Sequence, residues 1–375
     1  MFFVGAPWPI GLRSALNSKI ISRIMDTMIY YTLNLLKLAR ARRHLHPRAA
    51  IYYLTGQCNL NCAYCEDFGL RRNLQNPAPL PLEPVRQILG VLRSGVEALT
   101  LTGGEPLTHP QIDEILLYAK KELKFRELTL ISNGFLLPAH ATALAAVDRL
   151  IVSLDSVDPP LWSQTLGVPP ASAETILANI CQFAGLQSKL GYRMILNAVI
   201  TPETLPGIEA LLAFARENRL WVSFSPQSFN NWPRYELTVS PAYRDLIQKL
   251  LELKHRGAPI LGSDAYLKTL AAFTPYDCYP TLVPRIYPNG DLSYPCRPLE
   301  KAENGQGGRA VNLLQVKNWA EAWQSAFDLY GQPPRTCQSC FQQCYAEPSL
   351  MQTRPWELLG EKLRSGIDLS TYSPG

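Results

Sequence analysis

Six short apolar runs, separated by helix-like stretches, constrain this chain more than any other feature. They are Ile51–Gly56, Ala98–Thr102, Leu128–Ser132, Leu150–Leu154, Met194–Ile200 and Leu220–Phe224. Helical spacing fills the intervals, with Val85, Ile88, Leu89 and Leu92 inside Leu82–Leu92, then Ile112–Leu123, Ala173–Phe183 and Ile208–Glu217. Strands that alternate with helices build right-handed βαβ units and a parallel sheet. Six repeats fall short of an eight-fold barrel, so the expected fold is α/β, a partial (βα)6 TIM-like barrel. At 375 residues the chain exceeds one compact core, and a second module is expected beside it.

The alternation stops near Pro226. Residues 226–241, rich in Pro, Asn, Ser and Trp, read as a linker or an active-site loop. Helical patterns return at Leu246–Leu253 and Ala265–Phe273, and a later one is expected over Trp319–Leu329. Past Pro275 the chain is irregular and cysteine-bearing, with a Pro288–Asp291 turn and a Gly-rich loop at 304–308. Too irregular for a hydrophobic core of its own, that stretch is where metal staples are expected. The expected organisation is a basic amphipathic extension at 1–49, the barrel at 50–235, a helical linker at 236–275, a cysteine-rich module at 276–346 and a tail at 347–375.

Nine cysteines need an account. Pro7 and Pro9 interrupt the first 20 residues, which lack the form of a secretory signal. The uncharged run Thr27–Leu36 covers about half a membrane span. The chain reads as cytoplasmic, where thiols stay reduced and closely spaced cysteines more often bind metal than each other. Cys58, Cys62 and Cys65 form C-x3-C-x2-C directly after the first strand. Three thiolates in such a loop wrap one corner of an iron–sulfur cube and leave the fourth iron without a protein ligand. A zinc site would want a fourth Cys or His nearby, and none follows. Cys181 falls in the apolar pattern Ile176-Leu177-Ile180-Phe183 and is expected to be a buried core thiol.

With Tyr64 before its last cysteine, the loop CNLNCAYC resembles the signature of the radical S-adenosylmethionine (AdoMet) superfamily. Gly103-Gly104-Glu105-Pro106 closes the second strand as that family's GGEP motif does. Ser132-Asn133-Gly134 closes the third strand and Ser153-Leu154-Asp155 the fourth. The resemblance spans roughly residues 50–230 and places its motifs at strand C-terminal ends, where barrel enzymes carry their chemistry. It implies a [4Fe–4S] cluster on Cys58, Cys62 and Cys65, with AdoMet at the open iron. It further implies Glu105 on the methionyl amine, Gly103 and Gly104 in close approach, Ser132 and Asn133 near the ribose, and the Tyr64 backbone near the adenine. Ser153 and Asp155 are either further cofactor contacts or strand caps. One departure stands out: Leu161–Gly167 lacks the Arg-Gly carried there by many peptide-modifying members.

Cys278, Cys296, Cys337, Cys340 and Cys344 resemble the superfamily's C-terminal auxiliary-cluster modules, of the SPASM or twitch kind. Five thiols cannot fill the eight seats of two fully ligated cubes, so one auxiliary [4Fe–4S] cluster is expected. Cys278, Cys296, Cys337 and Cys340 are the favoured ligands, with Cys344 as spare or as a replacement for Cys337 or Cys340. A structural zinc ribbon is the alternative.

The resemblance implies an enzyme that takes one electron from a donor such as flavodoxin or ferredoxin. It would cleave AdoMet to methionine and a 5′-deoxyadenosyl radical, and abstract hydrogen from a substrate. An auxiliary cluster suits a net oxidation, such as dehydrogenation or cross-linking, of a small, lipid-like or pigment-like molecule. The alternatives are a peptide-modifying maturase and a non-catalytic iron–sulfur carrier or binding protein. No catalytic acid or base is singled out. Trp221, Trp232 and Tyr235 either line a pocket or pack.

Charge is concentrated at the start of the chain. Residues 1–50 hold eight Lys/Arg against Asp26 alone, a local +7 in a chain of net +5. The remainder, at −2, does not support a nucleic-acid-binding surface. Ile20, Ile21, Ile24, Met28, Tyr31 and Leu35 share helical spacing ahead of Lys37, Arg40, Arg42, Arg43 and Arg48. Peripheral membrane contact through residues 20–48 and packing against the barrel are both open.

Overall fold

The computed structural model describes residues 29–229, 232–301, 305–335, 340–355, 357 and 361. Cys337 and residues 20–28, which hold four of the six predicted stripe residues, lie outside them. A helix over residues 29–39, α1, precedes six parallel strands that neighbour one another in chain order. These are β1 (Ala49–Thr55), β2 (Ala98–Gly103), β3 (Glu127–Ser132), β4 (Arg149–Ser153), β5 (Arg193–Ile200) and β6 (Trp221–Pro226). Helices α2 (Leu82–Arg93), α3 (Ile112–Leu117), α4 (Pro159–Leu166), α5 (Pro170–Leu190) and α6 (Ile208–Glu217) fill the intervals, except that β3 reaches β4 through short 3₁₀ turns. The expected partial barrel is what forms. Both faces of a parallel sheet are covered, which is why β1 is buried along its whole length and reads as an unbroken apolar run. Val85, Ile88, Leu89 and Leu92 make the buried face of α2 as their spacing predicts.

Beyond β6, a two-stranded hairpin of β7 (Ser228–Phe229) and β8 (Trp232–Pro233) leads to α7 (Tyr235–Thr238), α8 (Pro241–His255) and α9 (Asp264–Ala272). Ser240 and Ser263 cap the last two, each accepting a backbone N–H at 3.1 Å. The cysteine-rich stretch then returns to the barrel. Strand β9 (Arg285–Ile286) pairs in parallel with β1, and β10 (Asp291–Tyr294) and β11 (Gly308–Asn312) extend the sheet antiparallel. The order is β11-β10-β9-β1-β2-β3-β4-β5-β6. The Pro288–Asp291 turn joins β9 to β10 as expected, but the hairpin belongs to the barrel's own sheet.

Helices α10 (Arg297–Glu300), α11 (Trp319–Tyr330) and α12 (Gln343–Thr353) follow. The expected boundary between module and tail at 346/347 falls inside α12. Pro348 and the lack of an apolar stripe hide this helix in the sequence; it is buried nearly all round. Its polar residues hold neighbouring segments: Ser349 Oγ accepts Tyr279 N–H at 2.9 Å, and Gln352 Nε2 donates to Tyr31 O at 3.2 Å.

Two sequence expectations are corrected here. Cys181 is exposed. The buried face of α5 is Ala173, Ile176, Asn179, Ile180 and Phe183, and one further step of about 100° turns Cys181 away from it. On α1 Tyr30, Asn34 and Leu38 pack inward and Tyr31 is half-buried beside them, whereas Leu35 of the expected stripe is 38% exposed.

The end of β2 lies directly on the cysteine loop. Gly104 N–H donates to Thr55 O and Glu105 N–H to Gln57 O, both at 2.8 Å. A Cβ on Gly103 would stand 2.2 Å from Thr55 O, and one on Gly104 2.2 Å from Gln57 O. Gly103 also adopts a φ of +143°, open to glycine and costly for other residues. Gly103 therefore serves close approach to the end of β1, and Gly104 to the loop that follows it. Gly104→Ala is expected to cost about 1–3 kcal/mol or more, because the obstacle is backbone, and to lower the melting temperature with the loop's order.

Candidate active site

Residues 56–69 leave β1 as a loop that two segments hold from outside. Asn73 accepts Cys58 N–H at 3.0 Å and donates to Cys58 O at 2.8 Å. Asn76 Nδ2 donates to Gly56 O at 2.9 Å. On the other side the loop docks on the C-terminal end of α4, where Asn61 N–H meets Leu166 O at 3.0 Å and Ala63 N–H meets Thr165 O at 2.8 Å. Helix C-terminal carbonyls need partners, and here the cysteine loop supplies them. Gly167, at φ +64°, lets Asn61 come close; a Cβ there would lie 2.6 Å from Asn61 O. The Leu161–Gly167 segment that lacks an arginine is thus the platform of the loop. No periodicity or motif marks Asn73 and Asn76 in the sequence, and the segment of Thr165 and Leu166 stands out there only for its missing arginine.

Glu105 is fully buried and is the hub of the next layer. It accepts Leu107 N–H at 3.0 Å, Ser132 Oγ–H at 2.9 Å and Asn133 N–H at 2.7 Å. Burial nonetheless pushes its carboxyl up to about 7. Asn133 also donates from its side chain to Asn59 Oδ1 at 2.7 Å, tying β3 to the cysteine loop. The polar pair at the end of β3 therefore organises Glu105 and the loop.

Asp155, also buried, accepts Tyr64 Oη–H at 2.5 Å and Val199 N–H at 2.8 Å, and burial raises it to about 6. Tyr64→Phe is expected to lower stability by about 1–3 kcal/mol, since a buried carboxyl oxygen loses its donor. Asp155 should then titrate higher still, as that bond favours its charged form; thermal melts across pH measure both.

Cys58, Cys62, Cys65, Tyr64, Gly103, Gly104, Glu105, Ser132, Asn133, Ser153 and Asp155 all line one cavity of about 170 Å³. Burial pushes the Cys58 thiol up to about 11 and the Cys62 thiol higher. Three thiols and two carboxyls face this space, and among the described residues no Lys, Arg or His lines it. Such a lining suits cationic groups, although among the described residues no three His, Cys, Asp or Glu side chains converge as they would on a single metal ion. Tyr64 and Ile131 also line a second cavity of about 360 Å³ within the barrel. Ile151, Ile195, Val199 and Leu261 supply its apolar wall, and Asn197, Ser223, Gln227, Gln342, Cys344 and Glu347 its polar one. Trp221, Trp232 and Tyr235 line neither cavity, and the last two are 62% and 73% exposed.

Eight of the nine cysteines lie among the described residues. Of the C-terminal set, Cys278, Cys296 and Cys340 are buried and Cys344 half-buried. The Cys340 thiol feels Cys344, Cys296 and the Arg285 guanidinium. Arg285, on β9, donates to Cys344 Sγ at 2.6 Å and to Tyr53 Oη at 2.8 Å, and stacks on Tyr345 at 4.3 Å.

Residues 52–184 match the sequence model of the Radical SAM superfamily. Among curated relatives, the probable GTP 3′,8-cyclase of Methanococcus aeolicus is 31% identical over 171 residues, covering 44% of this chain and 54% of the relative. The GTP 3′,8-cyclase of Acidothermus cellulolyticus is 34% identical over 175 residues, covering 44% and 47%. The chain thus spans about half the length of the curated relatives it matches. Among solved structures, Streptococcus suis SuiB bound to S-adenosylmethionine superposes with a TM-score of 0.59 at 22% identity, over 76% of this chain and 67% of that one. The protein anSMEcpe with bound AdoMet gives 0.54 at 14%, over 86% and 97%.

Proposed function

The chain is a member of the radical SAM superfamily, and from that premise we propose that Cys58, Cys62 and Cys65 hold a [4Fe–4S] cluster with AdoMet beside it. The observation that carries this reading is the unbalanced donor set, three thiols and two buried carboxyls with no basic side chain lining the cavity among the described residues. When bound, cluster and AdoMet supply one-electron cleavage of a carbon–sulfur bond and with it the power to abstract hydrogen. The chain's own part is placement. Glu105, fixed by its three donors, is set to receive the amino group of AdoMet. The Tyr64–Asp155 pair stands between cofactor and substrate spaces, since Tyr64 lines both cavities.

The larger cavity suits a small, weakly charged substrate, such as a lipid-like or pigment-like compound, taken through a net dehydrogenation or cross-link. GTP is not carried over from the relatives. Arg149 is the one basic side chain lining that cavity among the described residues, and it pairs with Glu127 at 3.0 Å. A triphosphate would demand several such cations. A peptide is the second reading, supported by exposed Phe229, Trp232 and Tyr235 beside the cavity lip at Pro226–Ser228, and by anSMEcpe, solved with a Cp18Cys peptide. We assign an auxiliary [4Fe–4S] cluster to four of Cys278, Cys296, Cys337, Cys340 and Cys344, as an outlet for electrons. The donor of the first electron would be of the flavodoxin or ferredoxin kind. A purely electron-carrying role would leave Glu105 and its three donors without a task.

Anaerobically reconstituted protein, given AdoMet and dithionite, is expected to release 5′-deoxyadenosine and to carry about eight irons per chain. No 5′-deoxyadenosine would overturn the enzyme reading; about four irons would overturn the auxiliary cluster alone.

A further inference from the structure

Helix α1 is apolar on two faces, and the described residues cover one of them. Asn34, fully buried, donates to His46 O at 3.2 Å and accepts His46 N–H at 3.0 Å. Tyr30 and Leu38 on the same face pack against Leu45, Ile51, Tyr279, Leu282 and Val283. On the other face Ile29, Leu33 and Leu36, at helical spacing, are 54%, 52% and 50% exposed. A helix apolar on both faces normally has both covered.

The exposed stripe runs straight into positive charge. Lys37 lies one turn beyond Leu33, and exposed Arg40 and Arg42 follow. Lys37 and Arg42 line a cavity of about 710 Å³ with His44, His46, Trp319 and Trp323. No acidic side chain lines it among the described residues. Burial holds His44 neutral, near 4, so the charge there comes from Lys37 and Arg42. Trp323, 5% exposed, has an indole Nε1–H without a partner. Pro47 and Gly95 in the lining lie just before β1 and β2, so the cavity sits at the end of the barrel where strands begin. The candidate active site is at the opposite end.

We propose that this face docks on an anionic lipid bilayer, with Ile29, Leu33 and Leu36 entering the interface and an anionic lipid headgroup seated between Lys37 and Arg42. Charge selects this occupant. A second copy would set Lys37, Arg40 and Arg42 against the same three cations, and a free anion would leave the apolar stripe uncovered. The outer face of α1 supplies burial in the acyl boundary, and the basic cavity supplies attraction to the lipid charge.

The test is flotation of the full reconstituted chain with vesicles of phosphatidylcholine plus phosphatidylglycerol, against phosphatidylcholine alone. Binding is expected only with phosphatidylglycerol, falling about tenfold or more in Leu33→Glu/Leu36→Glu and in Lys37→Glu/Arg42→Glu, and weakening with salt. Both variants should keep wild-type cleavage of AdoMet, which certifies their folding apart from docking. Absence of flotation with phosphatidylglycerol, or equal flotation with both vesicles, would overturn the proposal. So would a thermal shift by inorganic phosphate without vesicle binding, or a dimer that Leu33→Glu/Leu36→Glu dissociates while vesicle binding persists.

Discussion

Cys62→Ala is expected to remove about four irons per chain and to lower 5′-deoxyadenosine formation more than about a hundredfold. Loss of an outer partner of a metal ligand already costs about 10–100-fold, and Cys62 would be a ligand itself. Its thiol is also hard to ionise without a bound cation, because burial and the nearby Asp155 and Cys65 all raise it. A cluster bound there supplies the charge that makes the thiolate favourable. The control is Cys181→Ala, on the exposed side of α5, which should keep both iron and activity. Full iron and full 5′-deoxyadenosine yield in Cys62→Ala would remove the C-x3-C-x2-C loop from the mechanism.

Glu105→Gln carries the second large effect, and its sign follows from burial. The folded carboxyl titrates near 7, above the ordinary 4.5, so folding favours its protonated form. Its contribution to stability is therefore fully present below about pH 4.5 and is lost as pH rises through about 7, by roughly 3 kcal/mol in the ligand-free protein. An ammonium group beside it reverses the penalty by stabilising the carboxylate. The rise in melting temperature produced by AdoMet should accordingly be larger near pH 8 than near pH 6. Glu105→Gln should flatten that pH dependence and weaken AdoMet binding about ten- to a hundredfold, the usual worth of a hydrogen bond to a charged partner. Asp155 and Glu347, pushed up by burial to about 6 and 7, are present in both proteins, so the difference between wild type and variant isolates Glu105. An AdoMet-induced shift equal at both pH values in wild type would separate Glu105 from the amine.

Much of this architecture is local and therefore legible in one dimension. The six strands match their apolar runs to within a few residues, because a strand buried on both faces must be apolar throughout. Helix α2 is equally visible, since its buried face repeats at 3.6 residues. The cysteine loop, Gly103-Gly104-Glu105 and Ser132-Asn133 could be placed at strand ends because spacing carried them there. What those residues touch was not legible. The two glycines lie against Thr55 and Gln57, and Ser132 and Asn133 serve Glu105 and Asn59. Cys181 shows the opposite failure: an apolar neighbourhood in sequence says little about a residue one step around the helix from the buried face.

By itself the sequence determined the partial barrel, the three-thiol loop after β1 and the acidic residue that closes β2, because period and spacing are properties of neighbouring residues. Only the tertiary structure decided three further points. The cysteine-rich segment enters the barrel sheet through β9, Leu161–Gly167 carries the cysteine loop, and α1 presents an apolar face that no described residue covers beside a basic cavity. Each depends on contacts between residues far apart in the chain, such as Ile51 with Arg285 and Asn61 with Leu166. Such pairings leave no period in the sequence, since burial and hydrogen bonding are settled by whichever surfaces the folded chain brings together.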